Sequence, residues 1–159
     1  MSSLKMSGYP IDTRFASKPV PQTVRIDALR KVGLFKGLSR RSLVRIDQVS
    51  VVRAALKDDT LVAQGERGSD AMVVLEGSAA VTRGNRKLKV LTVGDVFGEM
   101  ALLDDQPRSA TVKALEPMRV IVIHGPAFRK LMHQIPGLTD ALLATLSERL
   151  RAANAAADD

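Results

Sequence analysis

The middle of the chain consists of short apolar runs, and this pattern limits the possible folds more than any other feature. Between residues 51 and 123, runs rich in Val, Leu, Ala and Thr are separated about every 8–12 residues by Gly, Asp or Asn. Runs of this length are typical of strands, and the regular turn residues between them indicate an all-β sandwich or barrel. Arg83-Gly84-Asn85-Arg86 lies between two runs and predicts the tip of a β-hairpin.

Helical spacing of apolar residues flanks this β region on both sides. We predict N-terminal helices over residues 26–50, with Ser39 as the N-cap of the second one. C-terminal helices are predicted over residues 126–157, with Thr139 as the N-cap of the longer one. The chain is therefore predicted to be mainly β, with helices before and after the strands.

The first residues show no periodicity of either kind. They mix Ser, Gly, Pro and isolated charges, so we expect residues 1–25 to form a flexible N-terminal arm. The predicted organisation is an arm at 1–25 and one domain at 26–157, whose β region covers 51–125.

Composition argues against several classes of site. The 159 residues include no Cys, 2 His and 3% aromatic residues. Disulfide frameworks, zinc sites and stacking platforms for single-stranded nucleic acid are therefore not expected. No apolar run approaches the roughly 18–20 residues that a membrane helix needs, and the first residues lack a signal-peptide core. We expect a cytoplasmic protein without a membrane span or a metal site.

Positive charge is concentrated near the N-terminus. The chain carries a net charge of +7, and residues 1–60 hold 12 Lys and Arg against 5 acidic residues. The basic residues between Asp27 and Asp47, where no acid occurs, are Arg30, Lys31, Lys36, Arg40, Arg41 and Arg45. Such a cluster can bind nucleic acid or an acidic partner, or it can simply be the solvated face of short helices.

One segment inside the β region has the residues of an anion site. A short helix that begins after Gly98 would direct the free backbone N–H groups near Glu99 towards one point. Arg108 would add a permanently charged guanidinium to the same anion, and Glu99 would accept a hydrogen bond from a sugar hydroxyl. This combination suggests a nucleotide with a single phosphate. The alternative is a surface loop with an ion pair between Arg108 and Glu99.

The same segment resembles a known family. Phe97-Gly98-Glu99-Met100-Ala101-Leu102, followed by Pro107-Arg108-Ser109-Ala110-Thr111, is similar to the phosphate-binding cassette of cyclic nucleotide-binding domains. The match extends to Leu34-Phe35-Lys36-Gly37-Leu38, Gln64-Gly65-Glu66, Leu75-Glu76-Gly77 and Gly94-Asp95. The resemblance implies a jelly-roll β-roll, a cassette at 97–111, and a ligand-binding rather than catalytic function.

The resemblance also implies a role for individual residues. Arg108 would bind the cyclic phosphate, and Glu99 would accept from the ribose 2′-hydroxyl. Backbone amides after Gly98 would complete the phosphate cradle, and Ser109 would contact the phosphate or the base. The implied ligand is cAMP, with cGMP possible and no metal. The full set of expected ligand-binding residues is Phe97, Gly98, Glu99, Met100, Ala101, Arg108, Ser109 and Ala110.

The expected function is that of a stand-alone regulatory domain. Movement of its C-terminal helix would signal to an unidentified effector protein, and that helix could also form a homodimer. A DNA-reading helix-turn-helix is not expected, because Leu150 lies close to the end of the sequence. Arg149 and Arg151 are candidates to cover the base. The alternative is a protein-interaction or scaffold module with the same fold and little or no response to nucleotides.

Overall fold

The structure is a computed structural model that describes residues 5–6, 9–10 and 19–158. It contains ten strands, four α-helices and two 3₁₀ turns in these residues. The helices are α1 (Gln22–Leu29), α2 (Arg40–Gln48), α3 (Gly125–Met132) and α4 (Leu138–Asp158), and the 3₁₀ turns are Gly33–Phe35 and Glu99–Leu102. The strands are β1 (Lys5–Met6), β2 (Tyr9–Pro10), β3 (Ser50–Ala55), β4 (Thr60–Val62), β5 (Ala71–Glu76), β6 (Ala79–Arg83), β7 (Arg86–Leu91), β8 (Val96–Phe97), β9 (Thr111–Ala114) and β10 (Met118–Ile123).

Two four-stranded antiparallel sheets form the body of the protein. Their strand orders are β3-β10-β5-β8 and β4-β9-β6-β7. Neighbours in a sheet are often distant in sequence, as β10 and β3 are, which is how a chain wraps into a roll. The predicted hairpin is present, because Arg83 pairs with Arg86 at its tip. The prediction of a mainly β jelly-roll with flanking helices is confirmed.

Strand β10 lies between two separate apolar cores. All six of its residues are buried, and side chains alternate between the two faces of a strand. Val120 and Val122 contribute to a core shared with the second sheet, whereas Ile121 and Ile123 belong to a core shared with the helices. This burial on both faces explains why residues 120–123 of β10 form an unbroken apolar run rather than an alternating pattern.

The helices before and after the roll pack against each other on one face of the first sheet. Phe35 and Phe128 are both buried, and their ring centroids are 5.5 Å apart. Arg25 of α1 also donates to both carboxylate oxygens of the buried Asp47 in α2, at 2.8 and 2.9 Å. The N-terminal and C-terminal segments therefore share one core, and this core lies beside the Glu99–Leu102 turn.

Two residues, Ser39 and Thr139, were predicted as helix N-caps. Ser39 caps α2 as predicted, since its hydroxyl accepts from the Ser42 amide at 3.1 Å. The prediction for Thr139 was wrong, because α4 already begins at Leu138, and the Thr139 hydroxyl donates instead to the carbonyl of Met132.

The predicted arm at 1–25 lies largely outside the described residues. Helix α1 begins at Gln22, within the last residues of that segment, and β1 pairs with β2 nearer its start. Flexibility of the arm therefore stays a prediction. Within the described residues, every helix is too short or too polar to span a lipid bilayer.

Candidate functional site

A cavity of about 460 Å³ opens between the second sheet and the segment 97–110. Its apolar walls come from β4, β6 and β9 through Val62, Val81 and Val112. All eight residues predicted from the sequence line it: Phe97, Gly98, Glu99, Met100, Ala101, Arg108, Ser109 and Ala110. The fold thus brings together the two halves of the cassette, which are separated in sequence by the loop 103–107.

The turn that starts the cassette has the conformation expected for an anion site. Gly98 has a φ of +73°, in the left-handed region that favours glycine, and the 3₁₀ turn Glu99–Leu102 follows at once. The first amides of such a turn have no acceptor inside it. The Ala101 amide differs, because it donates to the carbonyl of Gly98 at 3.0 Å. The free amide donors of the turn therefore lie nearer Glu99 and Met100.

The Arg108 side chain passes between two glycines. A Cβ atom on Gly68 would lie 2.6 Å from Nε and Nη2 of Arg108, and one on Gly98 would lie 2.6 Å from its Nη1. Real Cβ atoms do not approach other atoms so closely, so any larger residue at either position would displace the guanidinium. The two glycines form a slot that fixes the position of the charge.

The backbone of Arg108 is held as firmly as its side chain. Its amide donates to the carbonyl of Glu66, and its own carbonyl accepts from the amide of Gly65, both at 2.8 Å. Nη2 of its side chain donates to the backbone carbonyl of Asp70, also at 2.8 Å. The loop before β5 therefore anchors the cassette arginine to the roll.

Burial makes this arginine a ready partner for an anion. Loss of water lowers the pKa of Arg108 from its usual value, and the carboxylates of Asp70 and Asp105 act in the opposite direction. An arginine nevertheless stays charged in a protein. Within the described part of the chain, Arg108 forms no ion pair, because its side-chain acceptor is a neutral carbonyl. A phosphate in the cavity would meet a fixed, partly desolvated cation.

Glu99 is bound to the helices rather than to Arg108. Its Oε1 accepts from Nη2 of Arg149 in α4 at 3.0 Å, and its Oε2 accepts from the amide of Leu34 at 3.3 Å. Arg149 also contacts the sulfur of Met100, with Nη1 at 3.7 Å. The alternative of a surface ion pair between Arg108 and Glu99 was therefore wrong. The carboxylate instead links the cassette to both flanking segments.

The sequence profile of the cyclic nucleotide-binding domain family matches residues 52–135, which is more than half of the chain. This range contains the whole cassette and the loop that anchors Arg108. The chain belongs to the cyclic nucleotide-binding domain family.

Relatives of this domain occur in several classes of regulatory protein. A cAMP-dependent protein kinase regulatory subunit of Mycosarcoma maydis is 33% identical over 121 residues, covering 70% of this chain and 23% of the relative. A cGMP-dependent protein kinase of Eimeria tenella is 37% identical over 89 residues, covering 56% of this chain and 9% of the kinase. The chain spans less than a quarter of the length of either protein.

A solved structure shares the fold of this cyclic nucleotide-binding domain. It is the N-terminal domain of a transcriptional regulator from Streptomyces coelicolor, with a TM-score of 0.76 and 27% identity. The similarity covers 82% of this chain and 94% of that one. The roll and its flanking helices therefore also occur together in a transcriptional regulator.

Sequence reasoning missed several contacts that other parts of this domain make with the cassette. Gly68 and Asp70 position Arg108 from a loop almost forty residues earlier, and Arg83 donates to the carbonyl of Ser109 at 3.0 Å. A signal for Gly68 was available, since Gly65 and Gly68 are close together in the loop before β5. Nothing in the local sequence indicates which side chain fills the space beside them.

The candidates to cover the base have different surroundings. Arg149 contacts Glu99 and Met100, which places it beside the cassette. Arg151 is exposed on the same helix. A role for either in covering a base stays a prediction.

The basic N-terminal cluster lies on the surface of this domain. All six of its residues are exposed: Arg30, Lys31, Lys36, Arg40, Arg41 and Arg45. Separately, no group of three or more His, Asp or Glu residues within the described residues is placed to hold a metal ion.

Proposed function

We propose that this domain binds a 3′,5′-cyclic nucleotide in the cavity beside the cassette, and that cAMP is its ligand. The observation that carries the proposal is Arg108, a partly buried cation that is fixed between Gly68 and Gly98 and has no ion pair among the described residues. A cation held in this way binds an anion without first giving up another one. The relatedness to cAMP-dependent kinase regulatory subunits supports cAMP, and cGMP stays the second candidate.

The polar groups among the expected ligand-binding residues have defined roles in this proposal. Arg108 holds the phosphate together with the amides after Gly98, and Ser109 lies next to Arg108 on the cavity wall. Glu99 receives the ribose 2′-hydroxyl with an oxygen lone pair that Arg149 and the Leu34 amide leave free. Val62, Val81 and Val112 offer an apolar surface to the base.

The hydrogen bond between Glu99 and Arg149 suggests how nucleotide binding is transmitted to α4. A ligand that contacts Glu99 changes the balance of its hydrogen bonds to Arg149 and Leu34. We infer that the position of α4 differs between the free and the bound states, and that the nucleotide favours one of them through its unequal affinity. The moved helix would then alter a contact with an effector protein or with a second copy of the chain. The proposed activity is regulation in the cytoplasm, without chemistry on the nucleotide.

Thermal denaturation with three nucleotides tests this function. A ligand at 100 times its dissociation constant stabilises a protein by about 2.7 kcal/mol, which corresponds to a rise of roughly 5–10 °C for a domain of this size. We expect such a rise with cAMP and little change with 5′-AMP. The size of the rise with cGMP, compared with that for cAMP, shows which base the site prefers. The 5′-AMP control carries a dianionic open phosphate and separates recognition of the cyclic ester from simple charge attraction.

The same experiment separates the alternatives. Unchanged midpoints with both cyclic nucleotides would overturn the proposal and favour an interaction or scaffold module. Stabilisation by any polyanion, falling steeply with salt, would instead indicate nucleic-acid binding by the basic N-terminal cluster.

A further inference from the structure

Gly33, at the start of the N-terminal 3₁₀ turn, lies unusually close to the side chain of Arg149. A Cβ atom on Gly33 would be 2.1 Å from Nη2 of Arg149 and 3.3 Å from its Cζ. The φ of Gly33 lies outside the positive range that favours glycine, so alanine could adopt the same backbone conformation. Gly33 therefore matters for the space that its missing side chain leaves, and the guanidinium of Arg149 occupies that space.

The space beside Gly33 is where α4 meets the cassette. Nη2 of Arg149, the atom that approaches Gly33, also donates to Oε1 of Glu99 at 3.0 Å. The amide of Leu34, the residue after Gly33, donates to Oε2 of Glu99 at 3.3 Å. A Cβ atom on Gly33 would lie 3.5 Å from that Oε2, which is an ordinary van der Waals distance. The carboxylate could therefore stay in place, and only the guanidinium would have to move.

The surroundings of Gly33 determine which group would yield to an added side chain. The 3₁₀ turn cannot retreat, because Leu34 and Phe35 directly after Gly33 are buried in the core that the helices share. The side chain of Arg149 is long and partly exposed, so its guanidinium can turn into water while its stem stays on the surface. This movement would break the hydrogen bond to Glu99 and leave the core unchanged. A residue larger than glycine at position 33 therefore acts selectively on the contact between α4 and the cassette.

We propose that Gly33 is a positioning residue for signal transmission, because its missing side chain forms the socket that holds Arg149 against Glu99. This inference rests on the proposed function and deepens it by assigning the coupling of α4 to a residue of the N-terminal segment. Gly33 acts through Arg149 and is not one of the groups expected to hold the nucleotide. A side chain at position 33 uncouples α4 from the cassette, although the charges of Arg149 and Glu99 and the phosphate contact of Arg108 all remain.

A double-mutant cycle in the full chain tests whether Gly33 positions Arg149. Thermal denaturation without nucleotide compares the effect of Gly33→Ala in the unmodified protein with its effect in Arg149→Ala. Alanine in place of glycine stabilises a protein where the backbone is compatible, but in the unmodified protein it also breaks the pair with Glu99. We expect the change in midpoint to be about 3 °C more favourable in Arg149→Ala, where no guanidinium is displaced. Gly37→Ala is the matched control, because an added Cβ there meets nothing within 4 Å and should have the same effect in both backgrounds.

Hydrogen exchange of α4 with and without cAMP tests the consequence for signalling. Gly33→Ala should lose the change that cAMP produces in α4, while calorimetric titration gives a dissociation constant within about threefold of the unmodified protein's. A general defect in folding would instead weaken binding as well. A single variant that unfolds while the double variant folds would also support the inference, since only the guanidinium distinguishes them.

Two results would overturn the inference while the proposed function stands. One is an equal change in midpoint for Gly33→Ala in both backgrounds, and the other is a normal exchange response of α4 in Gly33→Ala. Failure of the unmodified protein to bind cAMP would instead overturn the proposed function and, with it, the role in signalling. The midpoints would still show whether Gly33 holds Arg149 in place, because the cycle needs no nucleotide.

Discussion

Arg108 and Arg149 both belong to the surroundings of the cavity, and they are held in contrasting ways. Arg108 lies inside the cassette between two glycines, its backbone is bonded to the loop at 65–66, and its side chain donates to a neutral carbonyl. Arg149 comes from α4, is 39% exposed, and is already paired with the Glu99 carboxylate. The first arrangement keeps a charge fixed and available. The second joins two parts of the fold through a bond that water and ligand can replace.

The difference suggests that Arg108 and Arg149 have different roles in one site. A fixed cation provides affinity, because little reorganisation is needed when an anion arrives. The pair of Arg149 and Glu99 is only partly buried and contributes about 1 kcal/mol to stability, so it can be exchanged at low cost. Arg108 is accordingly the residue expected to set binding strength, and Arg149 the residue expected to transmit binding to the helix.

Removal of Arg108 is expected to have the largest effect. Arg108→Ala would leave the phosphate without its buried cation, which costs about 2–5 kcal/mol, or roughly thirtyfold or more in the dissociation constant. Calorimetric titration with cAMP measures this directly. Arg86→Ala, at the exposed hairpin tip, is the matched control and should bind as the unmodified protein does. Equal affinity in the two variants would contradict the role of Arg108.

A substitution at Gly68 tests whether the slot between Gly68 and Gly98 contributes to nucleotide affinity. In Gly68→Ala the added Cβ would lie 2.6 Å from the guanidinium, so the charge must move away from its present position. The obstacle is a side chain rather than backbone, so the fold can adapt. We expect an affinity loss of about tenfold, between the loss of the whole residue and no effect, with a nearly unchanged thermal midpoint.

The control for Gly68→Ala is a substitution at Gly37, which has open space around an added Cβ atom. Gly37 has a φ of +83° and nothing within 4 Å of an added Cβ. Gly37→Ala should therefore cost about 1 kcal/mol of stability through backbone strain and leave nucleotide affinity intact. Loss of affinity in this variant, or a stability loss without an affinity loss in Gly68→Ala, would show that Arg108 is not positioned by the slot.

Much of the cassette around Arg108 could be predicted from the sequence. Gly98, Glu99 and Arg108 lie within eleven residues, and a left-handed glycine before a short helical turn is a local property of the chain. The jelly-roll could be predicted because strand length, turn residues and flanking helical periodicity agree. Local signals were less reliable at Thr139, where a suitable capping residue lies inside a helix that starts one residue earlier.

The partners of these residues could not be predicted in the same way. Asp70 and Gly68 reach Arg108 because the loop before β5 forms a bridge to the cassette, between Arg67 and Pro107. Glu99 meets Arg149 only because α4 returns over the N-terminal 3₁₀ turn, fifty residues later in the chain. Such contacts depend on the tertiary arrangement, and the sequence shows the charges without showing which of them pair.

Loss of Arg149 is expected to affect signalling more than binding. Arg149→Ala removes a partly buried ion pair, which costs about 1 kcal/mol of unfolding free energy. Glu99 keeps its bond to the Leu34 amide and stays in the cavity wall. We therefore expect cAMP affinity to change little. The change in hydrogen exchange that cAMP produces in α4 should disappear, because the link to the cassette is gone. A normal exchange response in Arg149→Ala would contradict the proposed route.

The smallest effect is expected for a second ion pair near the same interface. Lys36, just after the N-terminal 3₁₀ turn, lies 4.0 Å from Glu148 of α4, and the two side chains are 77% and 64% exposed. Solvent and salt screen such a pair, so Lys36→Ala should change stability by less than about 0.5 kcal/mol. It should also leave the exchange response of α4 intact, because Lys36 does not contact the cassette.

Glu148 and Arg149 are adjacent on α4, and each pairs with a residue outside that helix. A difference between Lys36→Ala and Arg149→Ala would therefore assign the coupling to the bond with Glu99 rather than to charge pairing on α4. Equal loss of the response in both variants would mean that any weakening of the helix contact is sufficient, and the distinction between the two arginines would then be one of burial alone.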